Sequence, residues 1–360
     1  MKSPIFLICS ERSGSNLMRV ILGSHKNISA PAPPHLMKTF FPLVQTYGNL
    51  NDDAHFQSLA DDIAVNLKIQ YGDWHIEPSG EAFAARAESR SLAGLLDAVY
   101  SLESEVRGTP RYFIKDNGVV HWTFEILASF PDAKFLYVVR DPRDAALSWL
   151  KSDHHPGGVA HATRIWADEQ QKALRAYALL HESDKIQLLH YEDLVSDPEG
   201  SIRRMCAFIG EEFDEAMLEF HKTKEAETSA RWNTGWKNLV NPMMSSNFGK
   251  YRSGLSSRQI RTIEGIARRE MQMLGYPFEF APRRKRGIQW EDIPKAFNAL
   301  KTFTSLVFSR RTGKEGIGKY VGRIRNLRAI QQERRSTPAS VWKSPRALAP
   351  QDVESHDESR

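Results

Sequence analysis

Pro4-Ile5-Phe6-Leu7-Ile8-Cys9-Ser10-Glu11-Arg12-Ser13-Gly14-Ser15-Asn16-Leu17-Met18-Arg19-Val20-Ile21-Leu22 is the stretch that decides the fold. Its first six residues form a short continuous apolar run, the pattern of a buried strand. Leu17, Met18, Ile21 and Leu22 then recur at helical spacing. Ser10 to Ser15 is the turn between them. Strand, turn and helix in this order form half of a parallel βαβ unit.

The pattern repeats along the chain. Arg111 to Lys115, Lys134 to Val139 and Lys185 to His190 are further short strand candidates. Helical spacing is predicted from Asn16 to Leu22, across much of 50–107, from His121 to Ala128, from Asp141 to Leu150 and from Ser257 to Leu274. Pro142 suits a first helical turn. Ser196-Asp197-Pro198-Glu199 starts a helix that Gly210 closes as a C-cap. Strands alternating with helices predict an α/β fold with a central parallel sheet covered on both faces.

Two strand–turn–helix junctions carry chemistry. In Arg12-Ser13-Gly14-Ser15-Asn16 the N–H groups of a helix start have no internal partners, and the helix dipole favours an anion there. Gly14 allows close backbone approach, Arg12 adds a forked cation, and Ser13, Ser15 and Asn16 add donors. The alternative for this segment is an ordinary turn with an N-capping serine. The second junction is Val138-Val139-Arg140-Asp141-Pro142-Arg143-Asp144, with Ser148 eight residues beyond Arg140. Arg140 and Ser148 can reach one anion over the helix start, whereas Asp141 and Asp144 also read as plain helix-start signals. A nucleoside triphosphatase loop needs Gly-x-x-x-x-Gly-Lys-Ser/Thr. Here one glycine stands alone with no lysine before the hydroxyl.

This pair of motifs resembles the two signature elements of sulfotransferases that use 3′-phosphoadenosine-5′-phosphosulfate (PAPS), in particular their bacterial and tyrosylprotein-like branch. The family's first loop, Arg/Lys-Ser-Gly-Thr/Ser, holds the 5′-phosphosulfate. Its strand-end Arg, with a Ser eight residues on, holds the 3′-phosphate. His190-Tyr191-Glu192-Asp193-Leu194 is similar to a family element near the adenine. Trp236-Lys237-Asn238 and Gly249-Lys250-Tyr251-Arg252 resemble its C-terminal basic loop. The resemblance covers residues 4–280 and implies a P-loop-like three-layer α/β/α fold. It implies PAPS as sulfonyl donor and a small-molecule or glycan hydroxyl (or amine) as acceptor. Arg12, Ser13, Gly14, Ser15, Asn16, Arg140, Ser148, Tyr191, Lys250 and Arg252 are the implied nucleotide contacts. Two departures stand out: Asn16 replaces a Thr/Ser, and Glu11 brings a negative charge to an anion site, most simply by pointing outward.

Sulfonyl transfer needs a base for the acceptor and positive charge for the departing phosphate oxygen. Relatives use a Glu in the loop after the first helix, or a His elsewhere. Here that loop, Ser29 to Leu36, has no carboxylate, and His35 is its one titratable side chain. His35 is the expected base; His25 resembles a structural family His. Lys115 and Arg12 are expected to face the departing phosphate, although Lys115 could instead pair with Asp116. The spacing of His154, His155 and His161 makes no convincing zinc site, and direct transfer needs no metal. A nucleotide phosphotransferase and a catalytically decayed PAPS-binding protein are the competing readings. The acceptor is expected against residues 30–110 and 150–165, where Phe40, Phe41, Tyr47 and Trp74 suit a sugar, a phenol or a lipid.

Composition sets the remaining bounds. The chain has 360 residues, 41% hydrophobic and 26% charged, ordinary for a globular protein. Two cysteines form no disulfide framework and fit a reducing, cytoplasmic setting. The N-terminal apolar run is too short for a signal-peptide core. Residues 283–346 hold 17 Lys+Arg against 4 Asp+Glu, whereas residues 1–282 hold 31 against 36. The high pI therefore belongs to the tail, and a nucleic-acid-binding body is not indicated. A catalytic domain over 1–282 is expected, followed over 283–360 by a basic helix and a largely disordered tail. Such a tail suits an acidic partner or a membrane surface.

Overall fold

The computed structural model describes residues 3–69, 74–152, 155–232, 234–244 and 247–281. The basic tail, its expected helix and the boundary at 282 lie outside these residues, as does His154.

Five parallel strands form the centre: β1 (Ile5–Cys9), β2 (Ile28–Ser29), β3 (Arg111–Ile114), β4 (Lys134–Val139) and β5 (Ile186–His190). Their order is β2-β3-β1-β4-β5. All four expected strands are present, and β2 is an addition two residues long. Alternation along β1 feeds two cores. Phe6 and Ile8 join the one with Phe135, Tyr137 and Trp166, while Ile5 and Leu7 join the other with Leu136, Val138 and Ile202. The sheet is thus apolar on both faces and needs helices on each.

The helices that concern the site are α1 (Ser15–Gly23), α2 (Leu36–Phe40), α3 (Asp53–Lys68), α4 (Gly80–Arg86), α5 (Leu92–Arg107), α6 (Thr123–Ser129), α7 (Pro142–Leu150), α8 (Val159–Leu180), α9 (Tyr191–Ser196) and α10 (Pro198–Ile209). The segment read as helical over 50–107 therefore holds three helices among its described residues. Gly210 closes α10 in the left-handed conformation, as expected. The helix expected over 257–274 breaks at Ala267 into Ser257–Ile266 and Arg268–Met273. The 22-residue α8, not anticipated, packs on α7 and on the end of β5.

Register positions the chemistry. Cys9 lies opposite Val138, and Val139 opposite His190. The turns after β1, β4 and β5 therefore emerge side by side at the carboxyl edge, next to the end of β3. The strand order reverses at β1, so the crevice opens there, where open α/β sheets take their ligands.

Candidate active site

Gly14 begins α1 at φ 98°, with no side-chain cap and no acid in the first turn. The first N–H groups of the helix keep their positive end for an anion. A Cβ on Gly14 would fall 2.6 Å from the Tyr191 ring, so both backbone and packing demand glycine here. We expect Gly14→Ala to cost about 1–3 kcal/mol in strain and a similar amount in overpacking. Denaturant unfolding reads the loss; a Gly14→Ala variant as stable as wild type contradicts this packing. Arg12 is also held left-handed, at φ 67°, strain of a kind that clusters in ligand-binding turns.

The two anion elements meet directly. Arg12 Nε donates to Ser148 Oγ at 3.1 Å, and Arg140 Nη1 donates to the Arg12 carbonyl at 3.3 Å. Arg140 lies over the Tyr191 ring at 4.4 Å, and its Nη2 donates to the Asn247 carbonyl at 2.8 Å. Its buried Nε finds no partner among the described residues. Neither arginine forms an ion pair among those residues. Burial, then the neighbouring charge of Arg140, pull the Arg12 guanidinium below its ordinary value. The nearby charge of Glu11 offsets part of this, and two buried like charges remain favourable ground for an anion that joins them.

Acids nearby are already committed. Asp141 caps α7 and grips buried Arg143, which also pairs with Glu264 at 2.8 Å. Asp144 accepts from the N–H groups of Gly249 and Tyr251, at 2.5 and 2.9 Å, which ties the basic loop to α7. These are the helix-start roles that the sequence allowed, with the loop tether added.

The cleft has a volume of about 560 Å³. Arg12, Gly14, Ser15, Asn16, Lys115, Arg140, Ser148, Tyr191, Lys250 and His35 all line it, joined by Trp236, Lys237 and Glu11. Two expected contacts are corrected. Ser13 is fully buried behind the turn, where its N–H bonds the Ser10 carbonyl. Arg252 turns away to Glu279 at 3.0 Å and stacks on Tyr251. The expected acceptor aromatics are also elsewhere. Phe40 and Tyr47 are core residues, Phe41 stacks on Trp122, and Trp74 Nε1 bonds the Ala32 carbonyl.

Lys115-Asp116-Asn117, at the end of β3, sends three side chains to three tasks. Lys115 Nζ donates to Asn117 Oδ1 at 3.1 Å and makes no ion pair with Asp116. Burial, against the charges of Glu11 and Asp116, brings the Lys115 ammonium down to about 8. Asn117 Nδ2 donates to Glu11 at 2.5 Å. Glu11 does not point outward: it also lies 2.7 Å from His155 Nε2. Burial opposes its charge, but the His155 bond and charge, then Lys38 and Lys115, bring the carboxyl to about 2. The unexplained acid of the anion loop is thus held in the cleft wall by Asn117 and His155. The Glu11–His155 contact escaped sequence reasoning, since no local spacing links residues so distant.

His35 sits at φ 56° as the first cap of α2, with Nδ1 3.5 Å from Asp116 Oδ1. His25, the competitor, is buried and bonded to the Glu212 carbonyl at 2.9 Å, a structural role.

A forked cationic crevice at the carboxyl edge of a parallel sheet suits a ligand with two separated phosphates. Residues 4–215 match the sulfotransferase family. This chain belongs to the sulfotransferase family. It is 24% identical over 172 residues to sulfotransferase 2A6 of Rattus norvegicus, covering 40% of this chain and 58% of that protein. It is 24% identical over 296 residues to protein-tyrosine sulfotransferase of Drosophila melanogaster, covering 79% of this chain and 54% of that one. The chain therefore spans little more than half the length of either relative. In structure it resembles the sulfotransferase domain from the curacin biosynthetic pathway, with TM-score 0.52 and 20% identity, covering 77% of this chain and 99% of that domain. That likeness establishes the shared P-loop-like α/β/α fold. No described helix of this sulfotransferase-family chain is long and apolar enough to cross a membrane.

Proposed function

We propose that this chain transfers the sulfonyl group of PAPS to a hydroxyl, or an amine, of a small molecule or glycan. The observation that carries the reading is the junction of Arg12, Ser148 and Arg140, two cationic elements joined by a 3.1 Å bond, where neither arginine makes an ion pair among the described residues. Arg12 and the N–H groups of Gly14, Ser15 and Asn16 suit the 5′-phosphosulfate. Arg140, Ser148 and Lys250 suit the 3′-phosphate, with Tyr191 beside the base.

The donor supplies an electrophilic sulfur and a phosphate leaving group. His35 accepts the acceptor's proton as its oxygen bonds the sulfur, and the bond from sulfur to the bridging oxygen breaks. Lys115 and Arg12 then neutralise the charge left on the phosphate. The products are a sulfate ester (or sulfamate) and adenosine 3′,5′-bisphosphate.

Calorimetry tests the nucleotide half. The bisphosphate should bind far better than AMP, and Arg140→Ala should weaken it about ten- to a hundred-fold, the loss of one charge-assisted contact. Equal affinity for AMP and the bisphosphate overturns the reading. Transfer of radiolabelled sulfonyl to a mixed panel of alcohols, phenols, sugars and amines tests the chemistry.

The low Lys115 value carries its own prediction. Lys115 is charged below about pH 8 and loses that charge above it. The kcat/KM profile, which reports the free enzyme, should fall with an apparent pKa near 8. Glu11→Gln removes a charge that favours the ammonium, so it should move this limb to lower pH. A limb unmoved by Glu11→Gln contradicts the assignment.

A further inference from the structure

We infer that Asp116 is a positioning residue for His35: it selects the imidazole tautomer and holds the ring against the cleft. The inference rests on the reading of His35 as the base.

Asp116 is a carboxylate with only 1% of its side chain exposed. A buried carboxylate needs partners; among the described residues only Oδ2 of Asp116 accepts a hydrogen bond, and Oδ1 accepts none. Oδ2 accepts the Met37 N–H at 2.9 Å. That N–H belongs to the first turn of α2, which its own N-cap, His35, does not cap with its side chain. Asp116 therefore caps α2 from a different element and fixes the loop that carries His35. Oδ1 faces His35 Nδ1 at 3.5 Å. At this separation the two buried atoms face one another without a hydrogen bond, the spacing of an ion pair that tightens as the imidazole takes a proton. An anionic acceptor at Nδ1 favours the tautomer with its hydrogen there. The other ring nitrogen, Nε2, is then the basic one. The same carboxylate favours the imidazolium that forms during transfer.

This tripeptide thus couples two halves of the reaction. Lys115 acts on the leaving side, and its neighbour Asp116 acts through His35 on the attacking side. Other charged groups share this part of the cleft: Lys115, Glu11 on the β1 turn, and His155 beyond α7. Lys38, on α2, adds its charge to Glu11. Glu11 is already held by His155 and Asn117, so Asp116 is the carboxylate left to face His35 among those named.

Asp116→Asn is the test. The amide oxygen can still accept the Met37 N–H, which keeps α2 tied. Its NH₂ would then donate toward Nδ1 and favour the wrong tautomer. Turnover should fall about ten- to a hundred-fold. The ascending limb of the pH–rate profile should move to lower pH, because the imidazolium loses its negative neighbour. Bisphosphate affinity should stay at the wild-type value. A purely structural role would move stability and not the pH limb. If Asp116→Asn keeps full activity and an unmoved limb while His35→Ala is inactive, the positioning role is wrong and the base assignment stands. If His35→Ala is itself active, the base assignment falls and this inference with it. Should Asp116→Asn fail to fold, nitrogen-15 imidazole spectra of the wild-type chain decide instead, with His35 assigned by its loss in His35→Ala. The hydrogen on Nδ1 supports the inference, and the hydrogen on Nε2 overturns it.

Discussion

His35→Ala should lower the turnover rate by about 10²–10⁴-fold, the range for a general base. Its position argues for that role. His35 lines the cleft with Lys115 and Arg12, at a loop tied to β3 through Asp116. No phosphate-binding element includes it, so affinity for adenosine 3′,5′-bisphosphate should hardly change. The wild-type profile should rise through the imidazole range, and the variant should lose that limb. Single-turnover measurement with saturating donor isolates the chemical step. An active His35→Ala enzyme with the wild-type profile removes His35 from the mechanism and directs attention to His154, His155 or a carboxylate such as Asp116.

Arg12→Ala should damage binding and turnover together. Arg12 reaches Ser148 of one anion element from the turn of the other. Losing it removes a charge-assisted contact in the ground state, about ten- to a hundred-fold in affinity. It also removes positive charge from the departing oxygen, about 10²–10³-fold in turnover. Stability should fall little, since a residue at φ 67° beside another arginine is strained and repelled. Arg12→Lys separates charge from geometry: the ammonium keeps the charge but cannot fork between two acceptors. Wild-type bisphosphate affinity in Arg12→Ala would show that the turn does not hold phosphate.

Much of this fold was legible because its strands are saturated with apolar residues. Phe135 to Val139 are all fully buried, and such a run has few alternatives to a central strand. The length of α8 was hidden for the opposite reason. Its buried face is Ala162, Thr163, Trp166, Gln170, Ala173 and Ala176, helical in period but weak in hydrophobic contrast. Ile28–Ser29 is too short to show any period. The gathering of Arg12, Gly14, Arg140 and Ser148 at one cleft was legible because helix starts, arginines and glycine act locally. Partnerships across the cleft were not. Glu11 finds His155, and His35 finds Asp116, only because parallel register brings separate turns to one edge. Ser13 and Arg252 match the family pattern in sequence, but tertiary packing takes both out of the cleft.

The paired arginines have a consequence for the protein's lifetime. Arg140 disfavours the charge on Arg12, so an anion bound between them should stabilise the folded chain. A ligand present at a hundred times its Kd adds about 2.7 kcal/mol to the free energy of unfolding. Proteases that sample opened molecules therefore meet the ligand-free population first. On the function proposed above, the amount of protein surviving in a cell should rise and fall with its supply of bisphosphorylated nucleotide.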